Sequence, residues 1–488
     1  MSNMEALCYL SAAEQGRLIR DRKLSPVELM RASLERIERY DGVLRACITV
    51  LAEPAMAHAR EAEREIDAGR WRGPLHGLPF GVKDQLCTRG IRTTAGSKVL
   101  AGYVPDFDAT VITRLRAAGA ILISKENLHE FGKGGTHVFP YGQPRNPWHP
   151  DHTPASSSSG SGIAPAAGFC SGSLGEDTGG SVRSPAAANG IVGLRPTFGR
   201  VSRHGGLMYG WTADTIGPLT RTVEDNALFL QAIAGHDPAD PLSSERPVPE
   251  YTAAMKPGLR GLTLAVAREM SWPEGVHPEV RSALEAALDV LRGIGATVKE
   301  VSLKRAKHAV PLQLLTSDSD IAAMMLKRWL RERYDEFDVG TRTRLAAGCL
   351  IPAAVYHRAM RARVLVRNEV LDALAGCDAL LCPASLNPPG RIEAVREKVE
   401  TPDDMDSRVL LRRISAYPFS MANVPAIAVP MGYSRAGLPV SLQIAAKPFD
   451  EGTVFRVAHA YEQATPWHRR HPDLDRTLQQ AAVPAGAQ

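Results

Sequence analysis

Apolar residues recur along this chain with two different periods, and the switches between them outline its organisation. Ser25-Pro26-Val27-Glu28 has the pattern of a capping box with proline in the first helical turn. Met30, Leu34 and Ile37 follow at helical spacing, and Gly42 closes the run. A second helix is predicted over 52–68, stopped by Gly69. From residue 78 onward the period shortens. Residues 78–83 and 121–124 read as short strands around a helix over 110–118. The same strand–helix–strand grammar returns over 262–266, 279–291 and 296–303. Residues 426–430 and 439–445 flank turn residues Ser434 to Gly437, which predicts a hairpin, and a helix over 451–463 follows. The alternation predicts an α/β fold, a single α/β/α layered domain around a large mixed, twisted sheet with helices on both faces. The hairpin is what makes the sheet mixed.

One stretch breaks the alternation. Residues 305–376 form a run of helical patterns rich in Arg, Leu and Ala, read as an insertion on the substrate side because strand patterns resume after it. There, Met324, Met325, Leu326 and Trp329 read as a helix packing face, and the arginines as a solvated one. The expected organisation is therefore 1–70, N-terminal helices packed on the core; 71–304, the core carrying the chemistry; 305–376, the insertion; 377–475, the rest of the core sheet; and 476–488, a tail frayed from residue 481.

Composition narrows the class without naming a function. With 44% hydrophobic and 23% charged residues in 488, the chain is neither disordered nor fibrous. Its net charge of +5, from 58 basic and 53 acidic residues, is weak over such a surface, so no nucleic-acid partner is expected. Residues 152–175 lack Asp, Glu, Lys and Arg but are mostly Ser, Gly, Ala and Pro, so no membrane segment is expected. Seven scattered cysteines and an N-terminus without an export pattern point to a reducing, cytoplasmic setting.

The chemistry concentrates in residues 153–196. A flexible Ser/Gly linker has no reason to pass into Glu176-Asp177-Thr178-Gly179-Gly180-Ser181-Val182-Arg183 and then an apolar run ending at Gly193-Leu194-Arg195-Pro196. Glycines around a serine expose backbone N–H groups where negative charge will develop, as an acyl-transfer oxyanion hole requires. A phosphate cradle needs similar geometry. However, Gly132-Lys133 is followed by Gly134 rather than Ser or Thr, and no GxGxxG opens a helix after a strand.

At these residues the chain resembles the amidase-signature family of Ser–Ser–Lys amide hydrolases. The matching positions are Lys83 closing Gly77-Leu-Pro-Phe-Gly-Val-Lys83, a Gly/Ser loop at Ser157, and Ser181 in its DTGGS context, with the family's usual separation between the two serines. Asp108-Ala-Thr-Val, Ser124-Lys-Glu-Asn127, Gly217-Pro-Leu-Thr-Arg-Thr-Val-Glu-Asp225 and Gly437-Leu-Pro-Val-Ser-Leu-Gln443 match as well, so the likeness runs from about Leu24 to His471. Five positions depart from the pattern. The loop reads Ala155-Ser-Ser-Ser-Ser-Gly-Ser161 where the family has GGSSGGS, which leaves Ser156 and Ser158 as alternatives to Ser157. Glu176 stands where a small polar residue is more usual, and Asn423 stands where glycine is.

The resemblance implies an amidohydrolase that cleaves a carbon–nitrogen amide bond through an acyl-enzyme, with no metal and no organic cofactor. Ser181 would attack, Ser157 would relay its proton to Lys83, and the N–H groups of Thr178, Gly179, Gly180 and Ser181 would form the oxyanion hole. Asp177 and Arg183 are expected as a buried pair shaping this loop. Lys83 must be neutral to act as a base, whereas a free lysine titrates near ~10.4. Burial favours the neutral form, provided no carboxylate sits close; Asp84 should point to the opposite face of its strand. The expected partner is a small-molecule amide, with no nucleic acid and no membrane; the amphipathic N-terminal helices could pair two copies in a homodimer. Two alternatives stand beside this reading: the glutamine-hydrolysing A subunit of an aminoacyl-tRNA amidotransferase, and a non-catalytic amide-binding protein. Other groups carry less. HExxH fails because Lys133 takes the second histidine position, His149 and His152 lack a third ligand, Cys377 and Cys382 lack zinc spacing, and Cys170 reads as a small buried hydrophobe.

Overall fold

The computed structural model describes residues 3–395 and 413–482. Its centre is one sheet of eleven strands: β1 Cys47–Val50, β2 Pro79–Lys83, β3 Ile121–Glu126, β4 Gly172–Asp177, β5 Val192–Arg195, β6 Thr215–Thr220, β7 Thr263–Ala267, β8 Thr297–Val301, β9 Ala379–Pro383, β10 Ala426–Tyr433 and β11 Pro439–Ala445. Their spatial order is β1-β3-β2-β4-β6-β5-β10-β11-β9-β7-β8. β2 runs parallel to β3 and β4, and β7 parallel to β8 and β9; the strands between these groups pair antiparallel. This is the mixed sheet expected, with helices on both faces. Every residue of β2, β3, β4, β5, β6, β9 and β11 is buried, whereas the edge strands β1 and β8 are partly open.

The N-terminal pattern folds as its residues require. Ser25 Oγ accepts from the N–H groups of Val27 and Glu28, the Glu28 carboxylate accepts from Ser25 N, and Pro26 opens the helix Pro26–Leu44. The helix outruns Gly42, whose missing side chain faces open space, and ends where Arg45 turns left-handed at φ 53°. The hairpin joins β10 to β11, with Ala426 opposite Ala445. Several strands escape a hydrophobic-period reading because they are built from small residues. In β4, a side chain at Gly172 would meet Phe229 at 2.7 Å and one at Gly175 would meet Leu219 at 2.9 Å.

The stretch over 305–376 is helical, as Ala306–Met325, a π-turn at Leu326–Leu330, Val339–Cys349 and Ala353–Ala375. Met325 packs with Phe131, Tyr209 and Phe337, with Leu326 and Trp329 against that cluster, while Met324 is exposed. Its arginines are not all solvated, since Arg363 is buried and donates to Met421 O and Thr212 O. The expected tail is in part a helix, Leu474–Ala482, anchored by buried Leu474; residues 483–488 lie outside the described residues. Among the described residues, no helix is long and apolar enough to cross a membrane.

Candidate active site

β2 lies between two parallel neighbours and delivers Lys83 at its end, fully buried. Alternation along the chain turns the next residue elsewhere: Asp84 pairs with Lys125 at 2.9 Å and accepts from Thr94 N and Oγ1 at 2.8 and 2.6 Å. Lys83 Nζ lies 2.8 Å from Ser157 Oγ, and of Ser156, Ser157 and Ser158 it is Ser157 that reaches it. The peptide bond between Ser156 and Ser157 is cis, and Ala155 before it holds φ 61°. Ser158 instead bonds the backbone of Glu176, tying the serine loop to β4.

β4 ends at Asp177, and the chain turns through 178–182 into the helix Arg183–Asn189. Gly180 makes the turn possible at φ 114°, where a side chain would also press on Ala416. Asp177 and Arg183 are both buried and joined twice at 3.0 Å. Arg195, from the GLRP stretch, joins Asp177 from the other side at 3.3 Å. Burial alone would raise the Asp177 pKa, but the two guanidiniums outweigh it and hold the carboxyl well below the usual range. Asp177 Oδ1 also accepts from Gly180 N at 2.8 Å. That N–H is therefore not free for an oxyanion, which leaves Thr178, Gly179 and Ser181 as the donors of the expected set. Ser181 lines a small cavity of about 50 Å³, while Ser157 and Lys83 lie buried beneath it. Among the described hydrogen bonds, none joins Ser181 Oγ to Ser157 Oγ.

The proviso that no carboxylate approach Lys83 does not hold. Glu176 Oε2 lies 3.0 Å from Lys83 Nζ, with both side chains buried. Residue 176 lies on β4 beside β2, and replacing a small polar residue there with a glutamate brings a carboxyl to the lysine. Burial pushes the Glu176 carboxyl up to about 7, against the pull of Lys83 and with the support of nearby Asp214. His129, whose Nδ1 accepts from Thr136 N, is pushed down to about 3 by burial and then by Lys83. Across the cavity stand Lys133 and Arg344, both bonded to Asp318; burial and Arg344 bring Lys133 down to about 7 against the attraction of Asp318. The insertion contributes Gln313, Leu314 and Arg344 to the walls.

The arrangement is a buried amine hydrogen-bonded to one serine, beneath a cavity holding a second serine among backbone N–H groups, which suits acyl transfer. The family model of amidases matches residues 28–455. This chain belongs to the amidase family. It is 39% identical to the A subunit of glutamyl-tRNA(Gln) amidotransferase from Thermosynechococcus vestitus over 474 residues, 92% of this chain and 97% of the relative. Among solved structures, it resembles the A subunit of glutamyl-tRNA(Gln) amidotransferase from Thermotoga maritima, with TM-score 0.79 and 32% identity, covering 94% of this chain and 96% of the other. It also resembles a peptide amidase from Stenotrophomonas maltophilia, with TM-score 0.80 and 31% identity, covering 95% and 98%.

These names overturn the expected partner set of a small-molecule amide without nucleic acid, or of a homodimer. The relatives are subunits of an assembly named for a tRNA. A net charge of +5 over 488 residues says nothing about a reaction completed by other subunits. For this amidase the sequence reading also missed Arg195, Asp214, Ser420 and Gln443, which hold the nucleophile loop and its surroundings. Gln443 sits in a quoted motif and accepts from Arg183 at 2.6 Å. Asp214 has no motif and enters through a loop, accepting from Tyr209 N and Gly210 N at 2.7 Å each. Among the described residues, no three His, Cys, Asp or Glu side chains gather as metal ligands; His149 and His152 pack on each other.

Proposed function

We propose that this chain is the glutamine-hydrolysing A subunit of an aminoacyl-tRNA amidotransferase. Ser181 attacks the side-chain amide of glutamine and its proton passes through Ser157 to Lys83. The N–H groups of Thr178, Gly179 and Ser181 meet the developing oxyanion. Lys83 then returns the proton through Ser157 to the leaving nitrogen, and ammonia departs to a partner protein. Water hydrolyses the acyl-enzyme to glutamate. Asp177 and Arg183 shape the loop without joining the chemistry, residues 71–304 and 377–475 form the catalytic core, and residues 305–376 wall the substrate side. Seven free cysteines fit a reducing cytoplasm.

The observation carrying this reading is 39% identity over 97% of a relative that bears this name. A second reading, an amidase complete in one chain that cleaves non-peptide carbon–nitrogen bonds, draws on the comparable likeness to the peptide amidase, at TM-score 0.80. The deciding experiment measures ammonia release from glutamine by the purified chain, alone and after adding the remaining subunits of a glutamyl-tRNA(Gln) amidotransferase with charged tRNA. Stimulation by those subunits supports the first reading. Turnover of amides other than glutamine by the chain alone supports the second.

A further inference from the structure

The buried contact between Lys83 and Glu176 has a use in the reaction. We propose that Glu176 is a positioning residue that shares one exchangeable proton with Lys83 and so sets the pH range in which Lys83 accepts the proton of the nucleophile. The inference rests on the reading of Lys83 as the base.

Donor and acceptor counting supports it. Thr178 Oγ1 lies 2.7 Å from Glu176 Oε1 and 2.8 Å from Asp214 Oδ1. A hydroxyl has one hydrogen, so one of these contacts needs a proton on the carboxyl. Asp214 spends its other oxygen on two backbone donors at 2.7 Å, which places the proton on Glu176 Oε1. Glu176 Oε2 then accepts from Lys83 Nζ at 3.0 Å, and Glu176 O lies 3.4 Å from the same nitrogen. A neutral lysine has two hydrogens for those two acceptors and a lone pair for the hydroxyl of Ser157, 2.8 Å away. Every partner of the amine is accounted for with Lys83 as –NH2 and Glu176 as –COOH.

The step balances. One proton leaves the Lys83 ammonium for the Glu176 carboxylate, and the net charge of the pair is unchanged. When the Ser181 Oγ–C bond forms and the carbonyl π pair moves to oxygen, the hydroxyl proton passes through Ser157 to the free amine. When the C–N bond breaks, that proton goes to the leaving nitrogen, while Glu176 keeps its own. The charged and titratable groups facing the pair are Asp214 and Tyr209 beside Glu176, His129 beside Lys83, and Lys133 and Arg344 across the cavity. Burial keeps His129 neutral across the relevant range. Lys133 titrates close to that range and needs its own control.

The test needs no knowledge of the substrate. The rate at which a fluorophosphonate probe labels Ser181 in the full-length protein is followed from about pH 5 to 9.5, for the wild type and for Glu176→Gln, Glu176→Asp, Lys133→Met and Lys83→Ala. The doubly protonated pair can lose a proton from either of two sites, so its first proton leaves at lower pH than it would from Lys83 alone. Glu176→Gln therefore moves the midpoint of the acid limb to higher pH, by about 0.3 unit for an evenly split proton, with labelling low on the limb unchanged, the neutral-pH rate about twofold faster and the alkaline plateau retained. Glu176→Asp recovers part of that shift, and Lys133→Met leaves the limb in place. A limb that moves to lower pH in Glu176→Gln makes Glu176 a simple anionic partner and overturns the proposal, as does one that stays put. If Glu176→Gln does not fold, a wild-type limb in Glu176→Asp overturns it too. Wild-type labelling in Lys83→Ala is a separate result, which removes the base reading itself.

Discussion

Replacing Arg183 by alanine tests whether the nucleophile loop is built on a buried ionic network. The guanidinium is fully buried and bonds Asp177 twice at 3.0 Å, Ser420 Oγ at 2.6 Å, Gln443 Oε1 at 2.6 Å and Ala416 O at 3.1 Å. Breaking a buried ion pair costs about 3–5 kcal/mol when the remaining charge is abandoned. Here Asp177 keeps Arg195 and the N–H groups of Gly180 and Val182, so the lower end applies. Gln443 Oε1 loses its donor, at about 1–3 kcal/mol for a group left unsatisfied, whereas Ala416 O keeps Ser420 as a donor. The sum is about 5 kcal/mol, comparable with the whole net stability of many domains. The assay is urea unfolding followed by tryptophan fluorescence, with fluorophosphonate labelling of Ser181 as a local report. The folded-state pKa of Asp177 is depressed, so its stabilisation is present above its unfolded value near ~3.9 and fades only as pH falls below that. The loss should therefore be the same at pH ~6 and ~8. A loss under ~1 kcal/mol with unchanged labelling refutes the network argument.

Three further outcomes follow from particular positions. Gly132 has φ +68°, and a side chain there would stand 3.0 Å from Gln85 Oε1, 3.2 Å from Glu176 Oε2 and 3.5 Å from Lys83 Nζ. Gly132→Ala should slow Ser181 labelling by about tenfold or more, and unchanged labelling in a folded variant would count against a crowded amine site. Glu126 is buried, accepts from Ser173 at 2.6 Å, and is pushed by burial from 4.5 up to about 8. The folded state then holds an extra proton between those values, so stability falls as pH rises through that window and levels off above it. Glu126→Gln should flatten this slope relative to the wild type in urea midpoints at pH ~5 and ~8, and parallel slopes would exclude a protonated Glu126. Ala155 sits at φ 61°, where an L-residue costs about 1–2 kcal/mol and glycine does not. Ala155→Gly should gain up to ~1 kcal/mol after glycine's greater chain entropy, as read by thermal unfolding.

What the sequence could reveal follows from where its signals are local. Capping at Ser25, the β10–β11 hairpin and the helix Glu451–Gln463 depend on neighbouring residues, and each forms where the pattern places it. β4 and β6 were invisible to periodicity because their glycines and proline let neighbouring elements approach, a tertiary reason. A side chain at Gly217 would collide with Leu194 O at 1.9 Å. Asn423, out of pattern with the family glycine, proves compatible for a local reason: it ends a short helix at φ 60°, a left-handed position asparagine tolerates. The serine loop with Lys83 was legible through resemblance, whereas Asp214 and Arg195 become site neighbours only through sheet order. Glu176 was noticed as unusual, but its contact with Lys83 depends on β2 and β4 lying side by side.

That contact raises a question of balance which magnitudes help to decide. In water, about 6 pKa units separate lysine from glutamate, so an ion pair is favoured over the neutral pair by ~8 kcal/mol. In the protein, each buried ion forfeits several kcal/mol of hydration, and mutual attraction returns only part of it. Asp214, sharing the Thr178 hydroxyl, adds repulsion against a second carboxylate at Glu176. The opposing contributions are of similar size, which is the condition for a proton to be shared. Near such a balance, ~1.4 kcal/mol changes the ratio of free amine to ammonium tenfold. A substrate that enters the cavity removes hydration from the charged form first. Substrate binding would then arm the base, and an empty cavity would leave it partly disarmed. Glu176→Gln should uncouple the two. The acid limb of kcat, which reports the substrate-bound enzyme, should lie at lower pH than that of kcat/KM in the wild type and coincide with it in Glu176→Gln, and an equal separation in both proteins would sink this argument.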